Sequence, residues 1–233
     1  MPRIEDNLRT VNARLGRAAA ACGRDPRDIT LIAVSKTFGP ADIAEAIDAG
    51  QTHFGENRIQ EAETKIPGFR SMSGIRWHMI GHLQSNKARR AAELFDFIHS
   101  VDGIRLAGKL SQAAIELGRT LPVLIQVDLG LEATKFGAGR DQVAGIIEAC
   151  LNLGGIRLEG LMTIPPYSDN PEDARPFFRR LRELREEILE AQPGCLGRGE
   201  LSMGMSHDFE VAVEEGATML RIGTAIFGDR PGG

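Results

Sequence analysis

Apolar positions along the chain follow two alternating periods. Ile4, Leu8, Val11, Leu15 and Cys22 recur at helical spacing, which predicts an amphipathic opening helix ending near Gly23. The next apolar stretch, from Ile29 to Lys36, is β-branched, nearly continuous and too short for a core helix. It reads as a parallel strand covered on both faces. Gly39 and Pro40 stop that run and open a second helix with Ile43, Ala46 and Ile47 facing inward. Further strands are predicted at 52–54, 76–80, 97–100, 123–128, 157–162, 200–203 and 219–222, with helices at 56–66, 84–94, 103–118, 139–152, 172–191 and 207–215. The helical stripes are legible in Leu106, Leu110, Ala113 and Leu117, and again in Phe177, Leu181, Leu184 and Ile188. Eight strands alternating with helices predict an α/β fold, a closed (β/α)8 barrel of the TIM type. No repeat, linker or low-complexity tract interrupts the pattern, so residues 1–233 are expected to form a single domain. In such barrels the chemistry sits where the strands end at their C-termini.

Composition narrows the class of partner. Lys plus Arg total 28 against 32 Asp plus Glu, for a formal net charge of −4, and aromatic residues make up 5% with one Trp and one Tyr. That balance argues against nucleic acid or an anionic membrane as the main partner and leaves few platforms for stacking bases. The cysteines, Cys22, Cys150 and Cys195, are far apart and form no CxxC, so they read as reduced thiols. No apolar run approaches membrane length and the opening residues lack a signal-peptide core; a soluble, cytoplasmic protein is expected.

Candidate chemistry lies at the predicted strand ends. Strand one runs into Lys36 after seven uncharged residues. Its amine is either a salt-bridged rim lysine or a desolvated nucleophile able to form a Schiff base with a carbonyl. Strand seven ends at Ser206, where a helix is predicted to open, so that Ser206 would be its N-cap; strand eight ends in Arg221, Ile222, Gly223 and Thr224. Each of these segments alone reads as an ordinary cap or tight turn, but together they fall where barrels commonly build phosphate sites. A lysine imine and a phosphate in one barrel mouth imply a phosphorylated aldehyde. Asn57 is placed to bond a ligand hydroxyl or to cap a helix. His78 and His82 have metal-like spacing, but a strand-to-loop transition divides them and no HExxH accompanies them, so no metal site is expected. Lys87, Arg89 and Arg90 read as a solvated helix face, and Gly137 to Gly139 lack the third glycine of a dinucleotide loop.

Five segments taken together resemble one known family. Ile32-Ala33-Val34-Ser35-Lys36, Phe54-Gly55-Glu56-Asn57, the stretch from His78 to Lys87, Leu201-Ser202-Met203-Gly204-Met205-Ser206, and the stretch from Arg221 to Gly228 are similar, in that order, to the pyridoxal phosphate homeostasis protein family. The resemblance implies a barrel of the alanine racemase N-terminal kind (fold type III), with pyridoxal 5′-phosphate held as a Schiff base on Lys36. It further implies contacts from Asn57, Met203, Ser206, Arg221, Gly223 and Thr224, with Arg221 facing the pyridine nitrogen. A permanent guanidinium charge there disfavours a second positive charge on that nitrogen. Asp128 stands where many family members have Asn, which puts contacts at the end of strand five in question; Lys135 fits the family pattern but also reads as a rim cation.

Three functions compete on this reading. The first, which the resemblance favours, is a non-catalytic protein that binds pyridoxal phosphate reversibly, buffers the reactive aldehyde and delivers it to pyridoxal phosphate-dependent apo-enzymes. The second is a racemase or decarboxylase on the same barrel. Racemisation needs a second base opposite the lysine, which in the related racemases is a tyrosine from an additional domain of the partner subunit. Here the chain ends at Gly233 and its one tyrosine, Tyr167, follows Pro165 and Pro166 and is expected to pack a loop. Lacking that domain, the chain is expected to be a monomer. The third, a lysine aldolase, lacks an evident carboxylate pair beside Lys36; Asp128 alone does not supply one.

Overall fold

The computed structural model describes residues 4–130 and 136–229. Eight parallel strands close into a barrel in sequence order: β1 (Thr30–Val34), β2 (His53–Glu56), β3 (Arg76–Met79), β4 (Phe97–Val101), β5 (Leu121–Gln126), β6 (Ile156–Met162), β7 (Glu200–Met205) and β8 (Met219–Ile222). Closure is made by β1 against β8, with Ile32 opposite Arg221 and Ala33 opposite Ile222. The outer layer comprises α1 (Ile4–Ala21), α2 (Pro40–Asp48), α3 (Ile59–Lys65), α4 (Ala88–Leu94), α5 (Ile104–Glu116), α6 (Arg140–Leu151), α7 (Arg175–Ala191), α8 (Phe209–Glu214) and a single turn, α9 (Thr224–Phe227).

Strand alternation sorts the side chains into two apolar populations. The larger fills the space between sheet and helices and contains Ala33, Phe54, Trp77, Ile98, Leu201, Met203 and Leu220. A small cluster of Ile32, Leu124, Met162 and Met219, with Phe97 against it, packs inside the barrel. Polar groups are buried too: His78, His99, Ser202 and Arg221 are all under 5% exposed.

The elements agree with the sequence pattern in kind and order and differ at their ends. β2 runs to Glu56 rather than stopping at Phe54, because the Glu56 carboxylate finds an ammonium partner inside the protein. The predicted helix at 84–94 is a 3-10 turn over Ser85–Lys87 followed by α4, and α8 starts at Phe209 after a turn. α9 has no counterpart in the predicted pattern; four residues carry no period. Among the described residues no helix is long and apolar enough to cross a membrane.

Candidate functional site

A cavity of about 380 Å³ opens at the C-terminal ends of the strands, lined in part by Lys36, Asn57, Ser206, Arg221, Gly223 and Thr224. Six of the seven residues singled out from the sequence therefore line one cavity. Met203 does not: it is fully buried in the layer between sheet and helices, and the β7–β8 register shifts between Ser202 and Met205, which breaks the strand's regular alternation there. Met205, two residues on, lines the cavity instead.

Lys36 leaves β1 on a turn that the surrounding groups fix tightly. Its predecessor Ser35 is fully buried, accepts a backbone bond from Phe38 N at 3.1 Å and donates from Oγ to Glu56 Oε1 at 2.7 Å. Lys65, on α3, donates from Nζ to the same Glu56 oxygen and to the Ser35 carbonyl, both at 2.8 Å. Burial pushes the Glu56 carboxyl up, and the Lys65 and Ser35 bonds work against that rise. Immediately after Lys36, Thr37 sits at φ +70°, a left-handed conformation unfavourable for a β-branched residue. Its N–H donates to Glu61 Oε2 at 2.8 Å, which holds the chain in that conformation. Nothing in the sequence pattern singles out Glu56, Glu61 and Lys65 as a cluster.

The opposite wall comes from β7 and β8. Ser206 is not the N-cap of the helix that follows β7; Asp208 takes that place. Ser206 Oγ instead accepts from Gly223 N and Ala225 N, both at 3.2 Å, so the hydroxyl reaches across to the loop after β8. The change follows from Asp208, whose Oδ1 accepts from Met205 N at 2.6 Å and closes its own turn. Both amides are thereby spent on Ser206, whose own O–H is left to donate at the cavity wall that Thr224 also lines, a pair of hydroxyl donors suited to an anion.

Arg221 is held by two fixed acceptors: Nη1 donates to Ser202 Oγ at 2.7 Å and Nη2 to the Thr163 carbonyl at 2.9 Å. Burial lowers its pKa to about 10, and Asp208 works against that fall, so the guanidinium remains a cation at neutral pH. Asn57 is set by a close backbone approach: a Cβ on Gly81 would stand 2.2 Å from the Asn57 carbonyl oxygen.

The weaker candidates separate. His78 points into the barrel beside His53 and His99, whereas His82 stacks on Phe136 at 3.6 Å with Asp102 Oδ2 3.4 Å from its Nδ1. Asp128 Oδ1 accepts from Gly130 N at 3.0 Å and so is absorbed by a local turn. Tyr167 does not pack the loop: it lies on the cavity rim, 79% exposed, with its hydroxyl 3.1 Å from Asp169 Oδ1. Lys135 lies outside the described residues.

Comparison with known proteins identifies the fold and family. The alanine racemase N-terminal domain model matches residues 2–231. The chain is 44% identical over 237 residues to the pyridoxal phosphate homeostasis protein of Escherichia coli strain K12, covering 99% of this chain and 98% of that one. It is 42% identical over 225 residues to the protein of the same name from Aquifex aeolicus, covering 97% of each. Among solved structures, PipY of Synechococcus elongatus PCC7942 with PLP bound superposes with a TM-score of 0.81 at 41% identity, covering 92% of this chain and 100% of PipY. An alanine racemase from Clostridium difficile shares the fold at 19% identity and a TM-score of 0.75, with 57% of its length matched.

Proposed function

Because this chain belongs to the alanine racemase N-terminal domain family, and within it to the pyridoxal phosphate homeostasis proteins, we propose that it binds pyridoxal 5′-phosphate reversibly at the cavity on the strand ends. The convergence of a lysine, an anion-suited donor set and a buried guanidinium on one cavity carries this reading. Lys36 would hold the aldehyde. The Ser206 and Thr224 hydroxyls, with the Gly223 backbone between them in the lining, would hold the phosphate, with Asn57 against the ring. When bound, the cofactor supplies an electrophilic carbonyl and a ring able to accept electron density.

The residues around that ring weigh against efficient amino-acid chemistry. Arg221 keeps its charge and its two acceptors, so it disfavours a proton on a ring nitrogen facing it and leaves the ring a weak electron sink. A racemase or decarboxylase would need a further acid–base group. Tyr167 is near, but its hydrogen bond to Asp169 pushes the phenol pKa up and makes it a poor base at neutral pH. The relatives at 40–44% identity are named for homeostasis, and we read this chain likewise as a buffer and donor of the cofactor to apo-enzymes, acting as a monomer in the cytoplasm.

The test is retention. Dialysis of the loaded Ser206→Ala, Thr224→Ala double variant should release the cofactor faster than the parent. Unchanged retention would remove the phosphate assignment.

A further inference from the structure

Behind Arg221 the barrel interior holds a continuous hydrogen-bonded chain that the cofactor reading does not use. Ser202 Oγ lies 2.8 Å from His99 Nδ1. His99 Nε2 lies 2.9 Å from His78 Nδ1, and His78 Nε2 lies 2.9 Å from His53 Nδ1. His78 and His99 are 2% and 0% exposed; His53 is half-buried and lines a second cavity of about 410 Å³ at the N-terminal mouth of the barrel. The charged lining of that basal mouth is Arg76, Asp96, Arg119, Arg157, Glu159, Arg198 and Glu200. Three imidazoles thus bridge the two ends of the barrel.

The chain has a polarity that Arg221 sets. A guanidinium only donates, so its bond to Ser202 Oγ occupies a lone pair. If His99 also donated to that oxygen, the Ser202 proton would have no acceptor among the described residues, a costly state for a buried hydroxyl. Ser202 therefore donates to His99 Nδ1. A neutral imidazole has one N–H and one lone pair, so His99 donates from Nε2 to His78 Nδ1, and His78 from Nε2 to His53 Nδ1. Burial, the largest influence, together with neighbouring cations and rings, keeps His78 and His99 neutral. The last N–H, on His53 Nε2, ends the chain at the basal cavity that this ring lines.

We propose that His53, His78, His99 and Ser202 are positioning residues for Arg221, all three rings protonated at Nε2, and that they make the cofactor cavity sensitive to the state of the basal mouth. A second proton on His53 would occupy the nitrogen that accepts from His78, so protonation there competes directly with the chain. Burial and Arg76 oppose that proton and Asp96 favours it. The tautomer half of the proposal stands without any cofactor; the coupling half rests on the pyridoxal phosphate reading.

Long-range proton–nitrogen correlation spectra of the cofactor-free protein labelled with nitrogen-15 histidine read the tautomers directly. Neutral Nε2–H patterns for His53, His78 and His99 at neutral pH are expected; an Nδ1–H pattern or a cationic ring at His78 or His99 overturns the proposal. The visible band of the loaded protein then reads the coupling. His99→Gln and the more conservatively placed His53→Ala, which truncates a side chain at a cavity wall, should each displace the band maximum while Lys36 is still trapped by borohydride. Maxima identical to the parent's in both overturn the coupling. If the parent takes up no cofactor, the functional reading fails and the tautomer result still decides the chain.

Discussion

At the scale of single residues, the account turns on groups that hold other groups in place. Ser206 accepts from two amides of the β8 loop, which leaves its own O–H to donate to the phosphate, so Ser206→Ala should cost about 1–3 kcal/mol of cofactor affinity, a roughly 5- to 150-fold rise in Kd, read by absorbance titration. Lys65 is the buried counter-ion of Glu56 beneath the Lys36 turn. Lys65→Met leaves that carboxyl buried without its ammonium and should cost about 3–5 kcal/mol of folding stability at pH 8, read by urea unfolding. Burial already raises the Glu56 pKa, and losing Lys65 raises it further. A raised acid stabilises the fold below its unfolded value and loses that contribution as pH climbs through the folded one. The deficit of the variant should therefore shrink towards pH 5. Only part of this network was visible in sequence. Lys36 stood out because an uncharged strand runs into it, whereas Glu56, Glu61 and Lys65 meet only once α3 folds back over β1 and β2, which no spacing along the chain encodes.

At the scale of elements, the strand ends are pinned by backbone approaches that leave no room for a side chain. Gly81 follows β3 and sits where a Cβ would collide with the Asn57 carbonyl after β2. Gly81→Ala must push the two loops apart; it should lower stability by about 2 kcal/mol, some 4–8 °C in Tm, and weaken cofactor loading through the displaced Asn57. Equal Tm and equal loading would remove Asn57 from the site. The elements themselves were the most legible part of the sequence, since a buried parallel strand must be apolar on both faces and a covering helix must carry a stripe. Their ends were not. β2 extends through Gly55 and Glu56 because the glycine fits between Ile32 and Ile80 and the glutamate is paired, and both reasons belong to tertiary contacts. Met203 and Met205 show the same limit: two residues apart, they would share a face in an unbroken strand, and only the register shift between Ser202 and Met205 separates them.

At the scale of the whole molecule, the barrel stores polar groups along its axis. His78 and His99 are held neutral by burial, with pKa values well below 6.5, while the unfolded chain takes up those protons near 6.5. A depressed folded pKa gives stability that is present above the unfolded value and is lost as pH falls towards the folded one. Stability should therefore drop below about pH 6.5 at up to ~1.4 kcal/mol per pH unit for each histidine, and the urea midpoint should fall between pH 7 and pH 5.5. A midpoint unchanged over that range would contradict the buried neutral rings. The barrel, its strand order and the side of it that carries the cavity all followed from eight alternating periods, but the histidine column did not, because residues 53, 78 and 99 become neighbours only through the register of β2, β3 and β4. The central claim is that this architecture presents Lys36 as the amine that holds pyridoxal phosphate. Its most direct test is to add the cofactor, reduce with borohydride and map the modified peptide by mass spectrometry. The account predicts a visible band before reduction and one phosphopyridoxyl group on Lys36 after it, absent from Lys36→Ala. No band and no adduct, or an adduct confined to other lysines, would contradict it.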